Sequence, residues 1–269
     1  MSEGGGTSCS GSPGTPAADQ VSAPAKLTLS LRVTGVRADG YHLLEAEMVT
    51  VDLADTLWFF PGDGLEVAVA PGAVTGGHGS VPAGSSNLVV RALALAGRRA
   101  FVRLDKVVPA GAGLGGGSAD AAAVLRWAGL SGPEGVGLAS RLGSDVPFCL
   151  CGQGRARVTG AGEEVEVLPF GEVEGEAYTL VVPPFGVSTA AVYRAWDEMG
   201  GPCSDNFNDL EPPALRVEPR LAAWRDKLGD ATGQVPRLAG SGSTWFVRGD
   251  FPGEGRTVVR VSRTGLGTA

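Results

Sequence analysis

The segment 109-PAGAGLGGGSADAAAVL-125 places five glycines among the seven positions 111–117 and then runs directly into alanine-rich sequence. It satisfies G-x-G-x-x-G through Gly111, Gly113 and Gly116, but that pattern alone is weak. A dinucleotide fold needs a preceding strand that is apolar on both faces, with an acidic residue about 20 positions further on. The preceding segment, 100-AFVRLDKVV-108, instead carries Arg103, Asp105 and Lys106, the mark of a strand with one wet face. A P-loop requires a lysine after its last glycine. Here Gly117 is followed by Ser118, and the chain has lysine only at 26, 106 and 227. A plain linker would not lead straight into a cap and a helix. The remaining reading is an anion nest, in which the glycines let the backbone approach a ligand closely with its amides turned inward. Ser118 and Asp120 are candidate caps of the following helix, whose positive end faces the same space. A polyphosphate fits such a nest, and alanines 119 and 121–123 keep the first turns of the helix slim.

Upstream, 23-APAKLTLSLRVTG-35 alternates Leu27, Leu29, Leu31 and Val33 with polar residues, the period of a half-buried strand. Asp39-Gly40 marks a reversal, and 43-LLEAEMVTVDLADTLWFF-60 reads as one or two further strands, so the start is antiparallel. A short strand follows at 65–70, then a loop at 71–86. Helix is predicted at 87–97, capped by Asn87 or Ser86, again at 118–129, and around 134–143. The pattern restarts beyond residue 160, with strands near 163–170 and 177–184. Helices at 188–200 and 218–229 and two last strands within 238–249 and 256–264 complete the chain. This mixed order indicates an α+β fold with two lobes rather than a regular βαβ alternation.

With 269 residues, 43% hydrophobic and 19% charged, the chain can bury a sizeable core. Its net charge of −7 and the lack of a basic stripe argue against a nucleic-acid partner. No run approaches the roughly 20 apolar residues of a membrane span, and the first residues do not resemble a secretion signal. Cys9, Cys149, Cys151 and Cys203, with His42 and His78, lack the spacing of a structural zinc site. A reducing cytoplasm is the expected location. Residues 1–21, rich in Gly, Ser, Thr and Pro, are expected to form a disordered tail.

Three separated segments, 24-PAKLTLSLRVTGVRADGYHLL-44, the glycine loop and 143-GSDVPF-148, together resemble the 4-diphosphocytidyl-2-C-methyl-D-erythritol kinases of the GHMP kinase superfamily. Matches at 87-NLVVRA-92, 206-NFNDLE-211 and 239-AGSGSTWF-246 extend the likeness over most of residues 22–248. The resemblance implies a GHMP kinase N-terminal lobe at 22–160, like domain 2 of ribosomal protein S5, and a C-terminal α/β sandwich lobe at 161–269. It implies ATP-dependent phosphorylation of the 2-hydroxyl of 4-diphosphocytidyl-2-C-methyl-D-erythritol, a step of the non-mevalonate isoprenoid route, with magnesium.

Carried over by position, Pro109, Ala110, Gly111, Ala112, Gly113, Leu114, Gly115, Gly116, Gly117, Ser118 and Ala119 would cradle ATP, and Ser118 would also face the metal. Lys26 and Asp145 would be the catalytic pair. Thr28, Tyr41, His42 and Tyr193 would meet the acceptor, with Tyr41 and His42 at its cytosine end and Tyr193 as a second aromatic face. The implied partner is a small molecule, with neither nucleic acid nor membrane, and the protein would be a monomer or homodimer.

The residue types suit these roles. Phosphoryl transfer depends on positioning and charge neutralisation more than on covalent work. An aspartate can orient the acceptor hydroxyl and accept its proton late, and a lysine beside it offsets charge between donor and acceptor. A neutral histidine offers one donor and one acceptor to a pyrimidine edge. One departure stands out: where the family usually has P-A-K-[IL]-N, this chain has Thr28, a hydroxyl in place of an amide. Two rival readings are another small-molecule GHMP kinase acting on a different alcohol, and a nucleotide-binding relative without turnover. Tyr41 and His42 count against the first, and Lys26, Asp145 and Ser118 against the second.

Overall fold

The computed structural model describes residues 18–74, 76 and 81–263; residues 1–17 of the expected tail, and His78, lie outside the described residues. The chain opens with a long antiparallel hairpin, β1 (Asp19–Val36) and β2 (His42–Phe60). Its reversal falls at Asp39-Gly40, where Gly40 has φ +83° and donates its amide to Arg37 O at 2.8 Å. Residues 19–21, expected in the tail, belong to β1 instead. Gln20 pairs with Trp58, and the Trp127 indole donates to Asp19 Oδ2 at 2.9 Å.

The 43–60 stretch is a single strand because β2 is the spine of a six-stranded sheet. One edge carries β1 along its whole length. The other is shared: β5 (Arg155–Gly160) pairs along Leu44–Val49, and β4 (Phe101–Lys106) along Thr56–Phe60. β3 (Gly64–Val69) adds parallel to β4, and β6 (Glu164–Val167) antiparallel to β5. The lobe boundary expected at 160 therefore cuts a hairpin, since Ala156 pairs with Val167 and the first sheet runs on to that residue.

Four helices accompany this sheet. They are α1 (Leu88–Leu95), α2 (Gly116–Trp127), α3 (Gly132–Leu142) and α4 (Val146–Cys151). Asn87 caps α1, its side chain accepting from Val89 N at 2.8 Å, which satisfies one of the helix's orphan amides. α2 lies against β1 and touches the other three helices. The alanines that made it slim, 119 and 121–123, are all buried there.

A second, antiparallel sheet has the order β10-β7-β9-β8, formed by β7 (Ala177–Val181), β8 (Arg237–Leu238), β9 (Trp245–Arg248) and β10 (Thr257–Arg260). With it go α5 (Thr189–Glu198), α6 (Glu211–Val217) and α7 (Leu221–Thr232). One hydrophobic core fills the space under α1–α4 and runs on into the second half through Val192, Leu210, Leu228 and Trp245. Another joins the middle of the hairpin (Ala25, Leu27, Val49, Val51) to the second sheet (Leu180, Phe246, Val259). Thr28, expected on a wet face, is only 2% exposed, because on the face of β1 opposite Leu27 it sits with Lys26 among Met48, Tyr193 and Gly240.

The 206-NFNDLE-211 segment binds the halves together. Asp209 is buried and accepts from Val33 N at 3.0 Å, Ser204 N at 2.9 Å and the Arg32 guanidinium at 2.7 Å. Its backbone amide donates to Leu31 O at 3.0 Å. Replacing Asp209 by Ala strands two backbone donors, so stability is expected to fall by about 2–3 kcal/mol, read as a lower urea midpoint with an unchanged slope.

Candidate active site

The glycine loop joins β4 to α2, as the sequence indicates, and its residues alternate in role. Ala112 and Leu114, each 1% exposed, point into the core between hairpin and second sheet. Gly111, Gly113 and Gly115, which alternate with them, line the cavity. α2 begins at Gly116 with Gly115 as its N-cap at φ +68°, and no side chain caps it. The expected capping by Ser118 and Asp120 does not occur, because the helix starts earlier and both residues already lie inside it. The loop lines a cavity of about 340 Å³ together with Val81, Pro82, Asn87, Leu88 and Lys106. Of the residues expected to cradle nucleotide, Pro109–Gly113 and Gly115–Ser118 line this space. Leu114 and Ala119 do not, since both side chains are packed in the core.

A second cavity of about 220 Å³ adjoins the first, and Gly111 and Gly113 line both. It is bounded by Lys26, Thr28, Asp145 and Tyr193, with Thr189, Gly240 and Ser241 opposite. The lysine and the aspartate, 119 positions apart in sequence, meet there: Lys26 Nζ stands 3.3 Å from Asp145 Oδ2. Side-chain exposures of 6% and 28% leave the carboxylate the more accessible partner. Asp145 precedes α4 but makes no side-chain capping bond, so its carboxylate is free for the cavity. Thr28 Oγ1 accepts from the same ammonium at 3.0 Å. The Thr28 hydroxyl thus anchors the lysine.

Backbone fit sets this junction. Lys26 N donates to Leu114 O at 3.0 Å, locking β1 to the loop. A Cβ on Gly115 would stand 2.8 Å from Lys26 Cγ, and one on Gly113 would stand 2.5 Å from Ala239 O. Thr244 N donates to Ala112 O at 3.1 Å, so the 239–244 turn closes over the loop from the second lobe. Asn208 holds that turn, donating to Leu238 O and Gly240 O, each at 2.8 Å.

Tyr41 and His42 do not line the second cavity. Tyr41 is half exposed at the hairpin tip, under the Arg37 guanidinium. His42 packs on α5, its ring 4.6 Å from Tyr193 and 5.6 Å edge-on to Trp196, with Nε2 2.8 Å from Asp197 Oδ1. Tyr193 therefore touches both the cavity and the His42 ring. Burial, with Asp145 and Tyr41 nearby, pushes its phenol up to about 12, so it stays neutral at physiological pH.

One group escaped the sequence reading. Lys106 lies on the apolar side of β4, after Val102 and Leu104, and its ammonium is shared by Asp55 and Asp120, all three buried. Burial, tempered by Lys106 and reinforced by Asp55, raises the Asp120 carboxyl to about 7. Burial opposes the Lys106 charge, yet the two carboxylates prevail and hold it above the usual lysine value. Two signals in the sequence pointed to it: a lysine in register with Val102 and Leu104, and the scarcity of lysine in the chain.

A two-lobed α+β architecture with a glycine loop between sheet and helix, opening on a lysine–aspartate pair, defines a small-molecule kinase of the GHMP type. The family model described as the GHMP kinases N terminal domain matches residues 87–153. A 4-diphosphocytidyl-2-C-methyl-D-erythritol kinase of Paracoccus denitrificans is 39% identical over 83% of this chain and 84% of its own length. One of Pelotomaculum thermopropionicum is also 39% identical, over 90% of this chain and 93% of its own. A crystal structure of a 4-(cytidine 5'-diphospho)-2C-methyl-D-erythritol kinase superposes with a TM-score of 0.67 at 33% identity, covering 87% of this chain and 91% of the other. A putative homoserine kinase from Listeria monocytogenes, 14% identical with a TM-score of 0.55, shares the fold. The chain belongs to the 4-diphosphocytidyl-2-C-methyl-D-erythritol kinase family.

Gly115→Ala is expected to push the Lys26 stem aside and lower turnover by up to about 100-fold, measured as ADP release at saturating substrates.

Proposed function

We propose that the protein transfers the terminal phosphoryl group of ATP to the 2-hydroxyl of 4-diphosphocytidyl-2-C-methyl-D-erythritol in the non-mevalonate route to isoprenoid precursors. The observation that carries this reading is the Lys26–Asp145 pair, standing where the loop-lined cavity and a second cavity adjoin. Family membership supports the choice of substrate.

In the first cavity the amides of the glycine loop and the positive end of α2 receive the polyphosphate. In the second, the Asp145 carboxylate orients the acceptor hydroxyl toward the terminal phosphorus and takes its proton as the new P–O bond forms. ADP departs with the bonding electrons of the broken P–O bond. The Lys26 ammonium, anchored by Thr28, neutralises charge between donor and acceptor in a water-poor setting, where such stabilisation is strongest. Tyr193 and His42, ring against ring, supply the face and edge for the cytosine end, and Tyr41 at the hairpin tip covers it from outside.

Magnesium fits the donors present. It favours hard oxygens beside substrate phosphates, mostly carboxylates and, in phosphate loops, a Ser or Thr hydroxyl, and the Ser118 hydroxyl lies in the loop-lined cavity. Among the described residues no group of three His, Cys, Asp or Glu forms a closed cage. Bound there, the ion would offset charge on the phosphates.

Two further readings accompany this one. A lobe boundary after Val167 accords with the two sheets. A cytoplasmic location accords with the unpaired thiols of Cys149, Cys151 and Cys203. No helix among the described residues is long and apolar enough to cross a membrane.

The test is ADP release by purified protein with the diphosphocytidyl acceptor, and with homoserine or mevalonate in its place. Release stimulated by the first alone is expected; equal stimulation by either control would overturn the substrate assignment. Asp145→Asn is expected to lower kcat by about 10²–10⁴-fold and Lys26→Ala to lower it strongly, each with nucleotide affinity retained. Wild-type turnover in either variant removes that residue's role.

A further inference from the structure

At the inner wall of the loop-lined cavity lie three buried ionisable groups that the reaction above does not use. Lys106 Nζ donates to Asp120 Oδ2 at 2.7 Å and also to Asp55 Oδ2. Asp55, on β2 and 0% exposed, uses its other oxygen to accept from Val107 N at 2.6 Å and Val108 N at 2.8 Å. These two amides belong to the residues that lead into Pro109. Asp120 sits in the second turn of α2, beyond the far end of the loop. A single ammonium therefore ties together the chain entering the glycine loop, the helix leaving it and the spine of the sheet.

The location is specific. A Cβ on Gly116 would stand 3.3 Å from Lys106 Nζ, so the ammonium lies directly beneath the first residue of α2. Lys106 and Asp120 both line the cavity, and Asp120 Oδ1 is buried without a hydrogen-bond partner.

Stability does not account for such a cluster. Two carboxylates facing one ammonium leave uncompensated charge in a poorly solvated place, and buried ion clusters can often be replaced by apolar groups at no loss. Its geometric effect is different in kind. The glycines at 111, 113 and 115 have φ between +68° and +80°, a conformation with few internal restraints in a segment so poor in side chains. Holding both ends of that segment fixed removes ordering cost from the binding step.

We propose that Asp55, Lys106 and Asp120 form a positioning cluster that keeps the glycine loop in its polyphosphate-receiving shape, with Lys106 as the shared link. The identity of the ligand rests on the nucleotide reading above; the effect on the loop does not.

The experiment compares wild type, Asp120→Ala and Asp120→Asn by amide hydrogen exchange without nucleotide, by binding of a fluorescent ADP analogue, and by steady-state kinetics. Asn keeps an oxygen for Lys106, whereas Ala removes it. In Asp120→Ala the amides of residues 113–117 are expected to exchange at least about tenfold faster while β1 and β2 are unchanged. Analogue affinity and KM for ATP should worsen by a similar factor, with KM for the acceptor unmoved, and Asp120→Asn should restore most of the loss. The proposal fails if loop exchange in Asp120→Ala matches wild type, if exchange rises equally throughout the fold, or if Asn is as impaired as Ala. Should Asp120→Ala not fold, the double variant Lys106→Met/Asp120→Leu replaces the charges by apolar volume and must show the same loop-confined exchange. Because exchange needs no ligand, it decides the cluster's role even where wild type itself failed to bind the analogue, an outcome that would count against the nucleotide reading instead.

Discussion

A side chain at position 115 would collide with the stem of Lys26, and the rest of the site follows from that close approach. Glycine there lets the loop lie flat enough on β1 for Lys26 N to reach Leu114 O, and Thr28 then anchors the ammonium where Asp145 meets it. The same economy of side chains recurs at Gly113, where the carbonyls of Ala239 and Gly242 occupy the space a Cβ would need. Three stretches distant in sequence thus converge through backbone rather than side-chain contacts. The alternation of the loop explains how it can be both thin and firm. Ala112 and Leu114 are sunk in the core joining the halves, and Gly111, Gly113 and Gly115, which alternate with them, line the cavity.

Charge is arranged to suit an anionic ligand in an acidic protein. The chain carries a net −7, so the surface as a whole does not attract anions. The favourable field comes from local dipoles: loop amides and the start of α2. The cations that face the two cavities are few and heavily restrained. Lys26 is held between Thr28 and Asp145, and Lys106 between Asp55 and Asp120. A restrained ammonium has little freedom left to lose, so preorganisation is common to both lysines.

Local features of the fold were legible in the residues. The Asp39-Gly40 reversal, the Asn87 cap, the glycine loop as a bend between strand and helix, and the long antiparallel start all appear where the sequence places them. Each depends on chemistry within a few positions of itself. Less was visible for α4 and α6, of six and seven residues, which are too short to show a helical period and contain proline near their starts. Nor could β6 be assigned to the first sheet, because its partner is chosen by the hairpin at 160–163 and not by its own composition.

For the site, the sequence by itself determined the inventory: a glycine-rich anion loop, a lysine after Pro24-Ala25, an aspartate before Val146-Pro147, and an aromatic pair at the hairpin end. Tertiary structure alone decided who meets whom. It brought Lys26 to Asp145 and set Thr28 as the anchor of that lysine. It seated His42 on α5 against Tyr193, outside the lining of the second cavity, and it turned Asp120 from a candidate cap into a partner of Lys106. The reason is physical. Propensity and spacing fix what a few neighbouring residues can do, whereas the burial of a charge and its choice of partner depend on desolvation by segments more than a hundred positions away, which exists only once both sheets have closed around the loop.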